Sequence, residues 1–277
     1  MVPKVCIAPV QKAIALALVL LAFHNSASPT GPESAPSRQI TVAAATDLTF
    51  AFKEVAARFE KETGIAVQLS FGSSGNFFAE IQNGAPYDAF FSADVRYPQR
   101  LEQAGLIEPG TLTPYARGKI MLWTPKGSNI DVSRGLSVLL DPNVHKIAIA
   151  NPEHAPYGRA AVSALQHEGL YDKVRDKLVL GENISQTAEF VLSGSADAGI
   201  VALSLVLASP MKDQGRFFEI SDSSYPAIDQ AAVIHKSSPN KDAARRLLDF
   251  LRRPEIRDLM RSYGFAAPGA RAAGAAP

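Results

Sequence analysis

The chain is poor in the residues that staple, charge or anchor a protein. Its 277 residues include one cysteine, Cys6, and one tryptophan. A lone cysteine so near the N-terminus excludes an intrachain disulfide, a thiolate metal cluster and a cysteine nucleophile in the body of the chain. The five histidines (His24, His145, His154, His167 and His235) show no paired metal-ligand spacing. Charge of one sign is lacking too: 28 Lys and Arg face 27 Asp and Glu, a formal net charge of +1. Such a balance gives no field that would draw nucleic acid or an acidic membrane surface. The tight basic pairs Arg245-Arg246 and Arg252-Arg253 read as the solvated face of a helix. There is no P-loop and no G-x-G-x-x-G dinucleotide fingerprint. Beyond residue 23 no apolar run approaches membrane-spanning length.

What the first residues do contain is the pattern of a secretory signal. Lys4 and Lys12 precede an apolar run from Ala13 to Phe23, and Ser26, Ala27 and Ser28 follow as small residues. The expectation is a signal peptide over 1–28, export, and a soluble mature protein. The stretch SPTGPESAPS, 28–37, reads as a flexible leader, and the alanine- and glycine-rich end, 266–277, as a disordered tail.

Between these ends, strand and helix patterns alternate. Ile40, Val42 and Ala44 alternate on a first strand, after which Leu48, Phe52, Val55 and Phe59 fall at helical spacing before Gly64. Later strands are expected in IAVQLSF, YDAFFSAD, KIMLWTP, HKIAIA, KLVLG, AGIVA and AIDQAAVIHK. Helices are expected at 77–82, 97–105, 159–169, 187–192 and in the final stretch from Lys241. This alternation predicts an α/β protein with mostly parallel sheets and crossover helices. The late strand and last helices are expected to return to the first half. Two lobes follow, 38–118 with 225–265 and then 119–224, with a ligand cleft between them.

Four strand-to-helix junctions are built alike, with small polar residues or glycines at a helix start. They are Thr46-Asp47, GSSGN at 72–76, NPEHAPYG at 151–158 and GENISQ at 181–186. A helix start offers unpaired N–H groups and a partial positive charge, hydroxyls add donors, and glycine lets the backbone come close. Each junction alone is an ordinary cap. Four together would wrap a small tetrahedral anion without any Lys or Arg. Other chemistry is thinner. Gly-Ser-Ser-Gly lacks the G-x-S-x-G spacing of a nucleophile elbow, and only His154 lies where a catalytic reading is open. Tyr87, Tyr97, Tyr157 and Tyr225 are expected mainly to pack.

The stretches ITVAAATDL, FGSSGN, IQNGAPYDAFFSAD, IAIANPEHAPYGRAA, GENISQ and RSYGF resemble the periplasmic molybdate-binding proteins of bacterial ABC importers, over about 39–265. That resemblance implies the two-lobed type II periplasmic binding protein fold, each lobe a mixed, mostly parallel sheet flanked by helices. It also implies an oxyanion (molybdate or tungstate) in the cleft, no catalysis and no cofactor. The implied partners are an inner-membrane permease with its ATPase, with the binding protein a monomer that does not touch nucleic acid. Carried over by motif, the implied ligand-binding residues are Thr46, Asp47, Ser74, Tyr157 through its backbone, and Ile184 through its backbone. A metal enters only as the centre of the oxyanion, wrapped in its own oxygens. Ala202 stands where some members supply a tyrosine hydroxyl, which resembles a subgroup using four junctions.

Asp47 departs from the family, where Ser or Asn is common. A unit charge about 4 Å from another costs on the order of 4 kcal/mol at an effective dielectric near 20, and roughly twice that against a dianion. An ionised Asp47 should therefore not face molybdate. Three solutions are expected, in this order: the carboxylate turns back to cap its own helix, it is protonated in the closed cleft, or it accepts a proton from an oxyanion that carries one. The last keeps a binding protein for phosphate, sulfate or another small anion as the alternative. An exported serine hydrolase using Ser73 or Ser74 is the distant one.

Overall fold

A computed structural model of the protein describes residues 39–269. The expected signal and leader, and the residues from 270 onward, lie outside this range. In chain order the elements are β1 (Gln39–Ala45), a 3-10 turn (Thr46–Leu48), α1 (Thr49–Thr63), β2 (Ala66–Gly72), α2 (Ser74–Gln82), β3 (Ala89–Ser92), α3 (Arg96–Gln103) and β4 (Thr113–Gly118). Next come β5 (Ile120–Pro125), a kinked 3-10 stretch (Val132–Leu140), β6 (Ile147–Ala150), α4 (Pro156–His167), α5 (Tyr171–Val174) and β7 (Leu178–Gly181). The chain continues through α6 (Ile184–Leu192), β8 (Ala198–Ala202), α7 (Leu203–Val206), β9 (Gly215–Glu219), β10 (Ile228–Ile234), α8 (Lys241–Leu251) and α9 (Pro254–Ser262).

The strands form two five-stranded sheets, ordered β2-β1-β3-β10-β4 and β7-β6-β8-β5-β9. In the first, β1 runs parallel to β2 and β3, while β10 is antiparallel to β3 and β4. In the second, β6 is parallel to β7 and β8, and β5 is antiparallel to β8 and β9. Strand β10 follows β9 in the chain yet pairs in the first sheet.

Alternation along β1 decides what each face meets. Ile40, Val42 and Ala44 join Phe52, Val55, Phe59, Leu247 and Phe250 in one buried cluster, on the side of α1 and α8. Ala43 points the other way, into a cluster with Phe77, Phe78, Ile81 and Leu101 of α2 and α3. The first sheet is thus covered on both faces, as parallel strands require. The second sheet has its own core around Trp123, Leu122, Ile149 and Ile200. Helix α1 ends where expected, at Gly64, whose φ of 69° is the left-handed value a glycine adopts freely.

The elements that escape the sequence pattern include β4, β9, the short α5 and the kinked 3-10 stretch. Strand β4 carries Pro114, and β9 is an edge strand with mostly exposed residues, so neither shows clean alternation. Ala266, expected to begin a disordered tail, instead exchanges two backbone hydrogen bonds of 2.9 Å with Arg117. No helix among the described residues is long and apolar enough to cross a membrane.

Candidate functional site

Helices α2, α4 and α6 each begin three residues before their apolar periodicity does. Their first turns carry serine, glycine, proline and tyrosine rather than a hydrophobic stripe. Ser74 is the first residue of α2, Tyr157 the second of α4 after Pro156, and Ile184 the first of α6. Proline suits this place, because a first-turn N–H would have no helical partner in any case. Asn183 caps α6, its side chain accepting from the N–H groups of Ser185 and Gln186 at 3.0 and 3.1 Å. Gly158 lets α4 approach β6 closely, since a Cβ there would collide with the Ala150 carbonyl.

These helix starts and the Thr46–Leu48 turn meet at one small, nearly closed cavity of about 10 Å3. Its walls include all five sequence-expected residues: Thr46, Asp47, Ser74, Tyr157 and Ile184. No lysine or arginine lines it. The N–H groups of Ser74, Tyr157 and Ile184 have no partner among the described residues. The Ser74 oxygen accepts from the Ala93 N–H at 3.0 Å, which leaves its own proton to donate. The Thr46 hydroxyl likewise has no partner among the described residues. A pocket without basic side chains but rich in unspent donors can stabilise a negative charge, with Asp47 the one acidic group in its wall.

Asp47 departs from its first expected solution, since it caps no helix. Neither the 3-10 turn nor α1 has a side-chain cap hydrogen bond. The Asp47 carboxylate points instead into a buried polar cluster, where Oδ2 accepts from the Tyr157 hydroxyl at 2.8 Å and from Gln230 Nε2 at 2.6 Å. The same amide lies 3.1 Å from the Tyr157 hydroxyl. Oδ1 is buried with no hydrogen-bond partner. Burial pushes the Asp47 carboxyl up to about 6, against the opposing effects of Gln230, Tyr157 and the N–H groups of Asp47 and Leu48. Burial and the Asp47 carboxylate together push the Tyr157 hydroxyl well above its ordinary value. Tyr157 therefore contributes a hydroxyl to this cluster as well as a backbone N–H to the cavity. Gln230 escapes sequence reasoning altogether. Its only signal is a lone amide in the apolar strand AIDQAAVI.

The hydrolase alternative meets a specific geometry. Ser73 Oγ lies 3.0 Å from His154 Nδ1, but its hydroxyl donates to the His154 carbonyl at 2.6 Å. A hydroxyl has one proton, so Nδ1 is left to donate to Oγ, the opposite of a general base. Among the other tyrosines, Tyr97 accepts from Arg159 at 3.2 Å and Tyr225 donates to Asp222 at 2.9 Å. No cluster of His, Cys, Asp or Glu that could hold a metal ion occurs among the described residues.

The model of the bacterial extracellular solute-binding protein family matches residues 40–266. The chain belongs to that family. This solute-binding protein is 38% identical to the molybdate-binding protein ModA of Azotobacter vinelandii, over 84% of this chain and 91% of that one. It is 37% identical to the molybdate-binding protein ModA of Rhodobacter capsulatus, over 83% and 89% of the two chains. Among solved structures, the Azotobacter vinelandii periplasmic molybdate-binding protein superposes with a TM-score of 0.78 at 36% identity, covering 83% of this chain and 99% of that one. The two-lobed architecture of the solute-binding protein is the architecture of that relative.

Proposed function

We propose that the protein binds molybdate, or tungstate of nearly equal size and charge, and delivers it to the permease and ATPase of an ABC importer. One observation carries this reading: four helix starts from two sheets put neutral donors around one cavity that has no basic side chain. In this reading the ligand contacts are the Thr46 and Ser74 hydroxyls and the N–H groups of Asp47, Ser74, Tyr157 and Ile184. Hydrogen bonds to a charged group are worth about 1.5–3 kcal/mol each, so five or six are ample for tight capture once desolvation and closure are subtracted. Similarity to the molybdate-binding proteins of Azotobacter and Rhodobacter supports the choice of molybdate. The protein is a carrier rather than an enzyme, works in the periplasm after removal of 1–28, and acts as a monomer. Its lobes are 38–118 with 225–265, and 119–224.

The alternative is hydrogen phosphate, favoured by the unpartnered Asp47 Oδ1, which could accept a proton from the ligand. Calorimetric titration of ligand-stripped protein with molybdate, tungstate, sulfate and phosphate separates the two. Heat with molybdate and tungstate alone is the expected result. Tighter binding of sulfate or phosphate would replace the ligand assignment.

A further inference from the structure

We propose that the cavity binds its oxyanion together with one proton, carried on the Asp47 carboxyl group, so that Asp47 ties affinity to pH. The proposal rests on the oxyanion reading of the cavity and deepens it.

The geometry supplies two independent reasons. Asp47 lines the cavity and is 1% exposed. An ionised carboxylate so buried and so near the anion would repel a dianion with little solvent screening. Its hydrogen bonding is also uneven: Oδ2 takes two side-chain donors, whereas Oδ1 is buried with none in bonding geometry, the nearby N–H groups of Asp47 and Leu48 only easing the charge. A buried ionised oxygen without a donor is costly, and a proton on the group removes the charge instead of leaving it unpaired.

No basic side chain packed around Asp47 neutralises the charge, and the donors that face it offset only part of the cost of burial. From α4 comes Tyr157 and from β4 comes Tyr115, both acids whose hydroxyls burial and the Asp47 carboxylate push well above the ordinary value. From β10 comes the neutral Gln230, and from α7 the Ser204 hydroxyl, which donates to the Asp47 carbonyl at 2.7 Å. The basic side chains of the same elements are engaged elsewhere: Arg117 of β4 pairs with Asp229, and Arg159 of α4 with Asp94. Burial lifts the carboxyl to about 6 before any anion is present, and a bound dianion acts in the same direction.

The sign follows from linkage. In an open cleft Asp47 meets water and keeps an ordinary carboxylate value near ~4. The closed, anion-bound state raises it, so that state holds more protons than the open one. Binding is then strongest at low pH, weakens by up to about tenfold per pH unit above the open-state value, and levels off once pH exceeds the bound-state value.

The test is calorimetric titration of the mature protein with molybdate and with tungstate, at pH values where the free anion is wholly the dianion. Near pH ~7, buffers of different ionisation enthalpy should show uptake of close to one proton per anion, with Kd rising as pH is raised. Asp47→Asn should bind at high pH at least as tightly as the unaltered chain, with a flat pH profile and no buffer dependence. Binding by the unaltered protein without proton uptake overturns the proposal and leaves the oxyanion reading intact. A pH dependence that survives in Asp47→Asn overturns it also, as does phosphate binding that Asp47→Asn abolishes. Silence with every anion at every pH overturns the oxyanion reading and this proposal with it.

Discussion

Ser74 and Ile184 stand at equivalent places, each the first residue of a helix at the cavity wall, yet they are expected to contribute different atoms. Ser74 offers a hydroxyl proton, because its oxygen is already engaged by the Ala93 N–H. Ile184 offers only its backbone N–H, its side chain being buried in the core of the second sheet. Ser74→Ala should therefore weaken molybdate binding by about 1.5–3 kcal/mol, roughly 10- to 100-fold by calorimetry. Ile184→Ala should leave affinity within about threefold while lowering unfolding stability by about 2–5 kcal/mol. The reverse pattern would mean that the donor assignment is wrong. At this scale the sequence is legible wherever a residue type names its own atom, as a serine hydroxyl does. It is opaque for Asp47, whose local pattern points to a cap on its own helix, while Tyr157 and Gln230 turn the carboxylate into a buried cluster. Those partners lie 110 and 183 positions away, beyond any local pattern.

At the scale of elements, the apolar periodicity that reveals α2, α4 and α6 begins only after their first turns. The missing turns are the ones that face the cavity, and apart from Ile184 they carry mostly small, polar or cyclic residues, because donors and close approach are needed there. Edge strand β9 and the proline-bearing β4 are invisible for another reason: β9 is exposed on both faces, so no buried face imposes alternation, and Pro114 breaks the strand pattern of β4. The cap of α6 allows stability and binding to be separated. Asn183→Ala should cost about 1 kcal/mol of stability, since two N–H acceptor bonds are lost, and should weaken binding as the first turn loosens. Asn183→Asp keeps the cap and should keep the stability, but it puts a carboxylate on the cavity wall. Its affinity for molybdate should fall more than about tenfold near neutral pH. Thermal unfolding paired with calorimetry on the two variants checks both halves. Equal affinity in Asn183→Asp and the unaltered protein would remove Asn183 from the anion's surroundings.

At the scale of the molecule, the two sheets are bridged around the cavity by a ring of polar contacts. Ser73 Oγ and the Gly75 N–H both donate to the His154 carbonyl, at 2.6 and 2.9 Å, and Asn76 donates to Glu182 at 2.6 Å. Ser185 and Ser204 donate to the carbonyls of Thr46 and Asp47, and Arg159 bonds Asp94 at 2.8 Å. Such a ring fits the bound, closed arrangement of a hinged carrier, whose two halves must separate to release the ligand. Gly75 is the contact to probe, because a Cβ there would lie 2.6 Å from the His154 carbonyl oxygen and 2.8 Å from its Cα. The collision is with backbone across the cleft, so no side-chain rotation relieves it. When the halves stand apart it does not exist, and alanine is the better helix former by about 0.8–1 kcal/mol. Gly75→Ala should therefore leave the unliganded protein as stable as before or slightly more so, while weakening molybdate binding at least about tenfold. Small-angle scattering should show the compaction that molybdate produces in the unaltered protein reduced in this variant. A variant that binds and compacts like the unaltered chain would mean that the ligand-bound cleft does not close through the contact between α2 and the His154 loop.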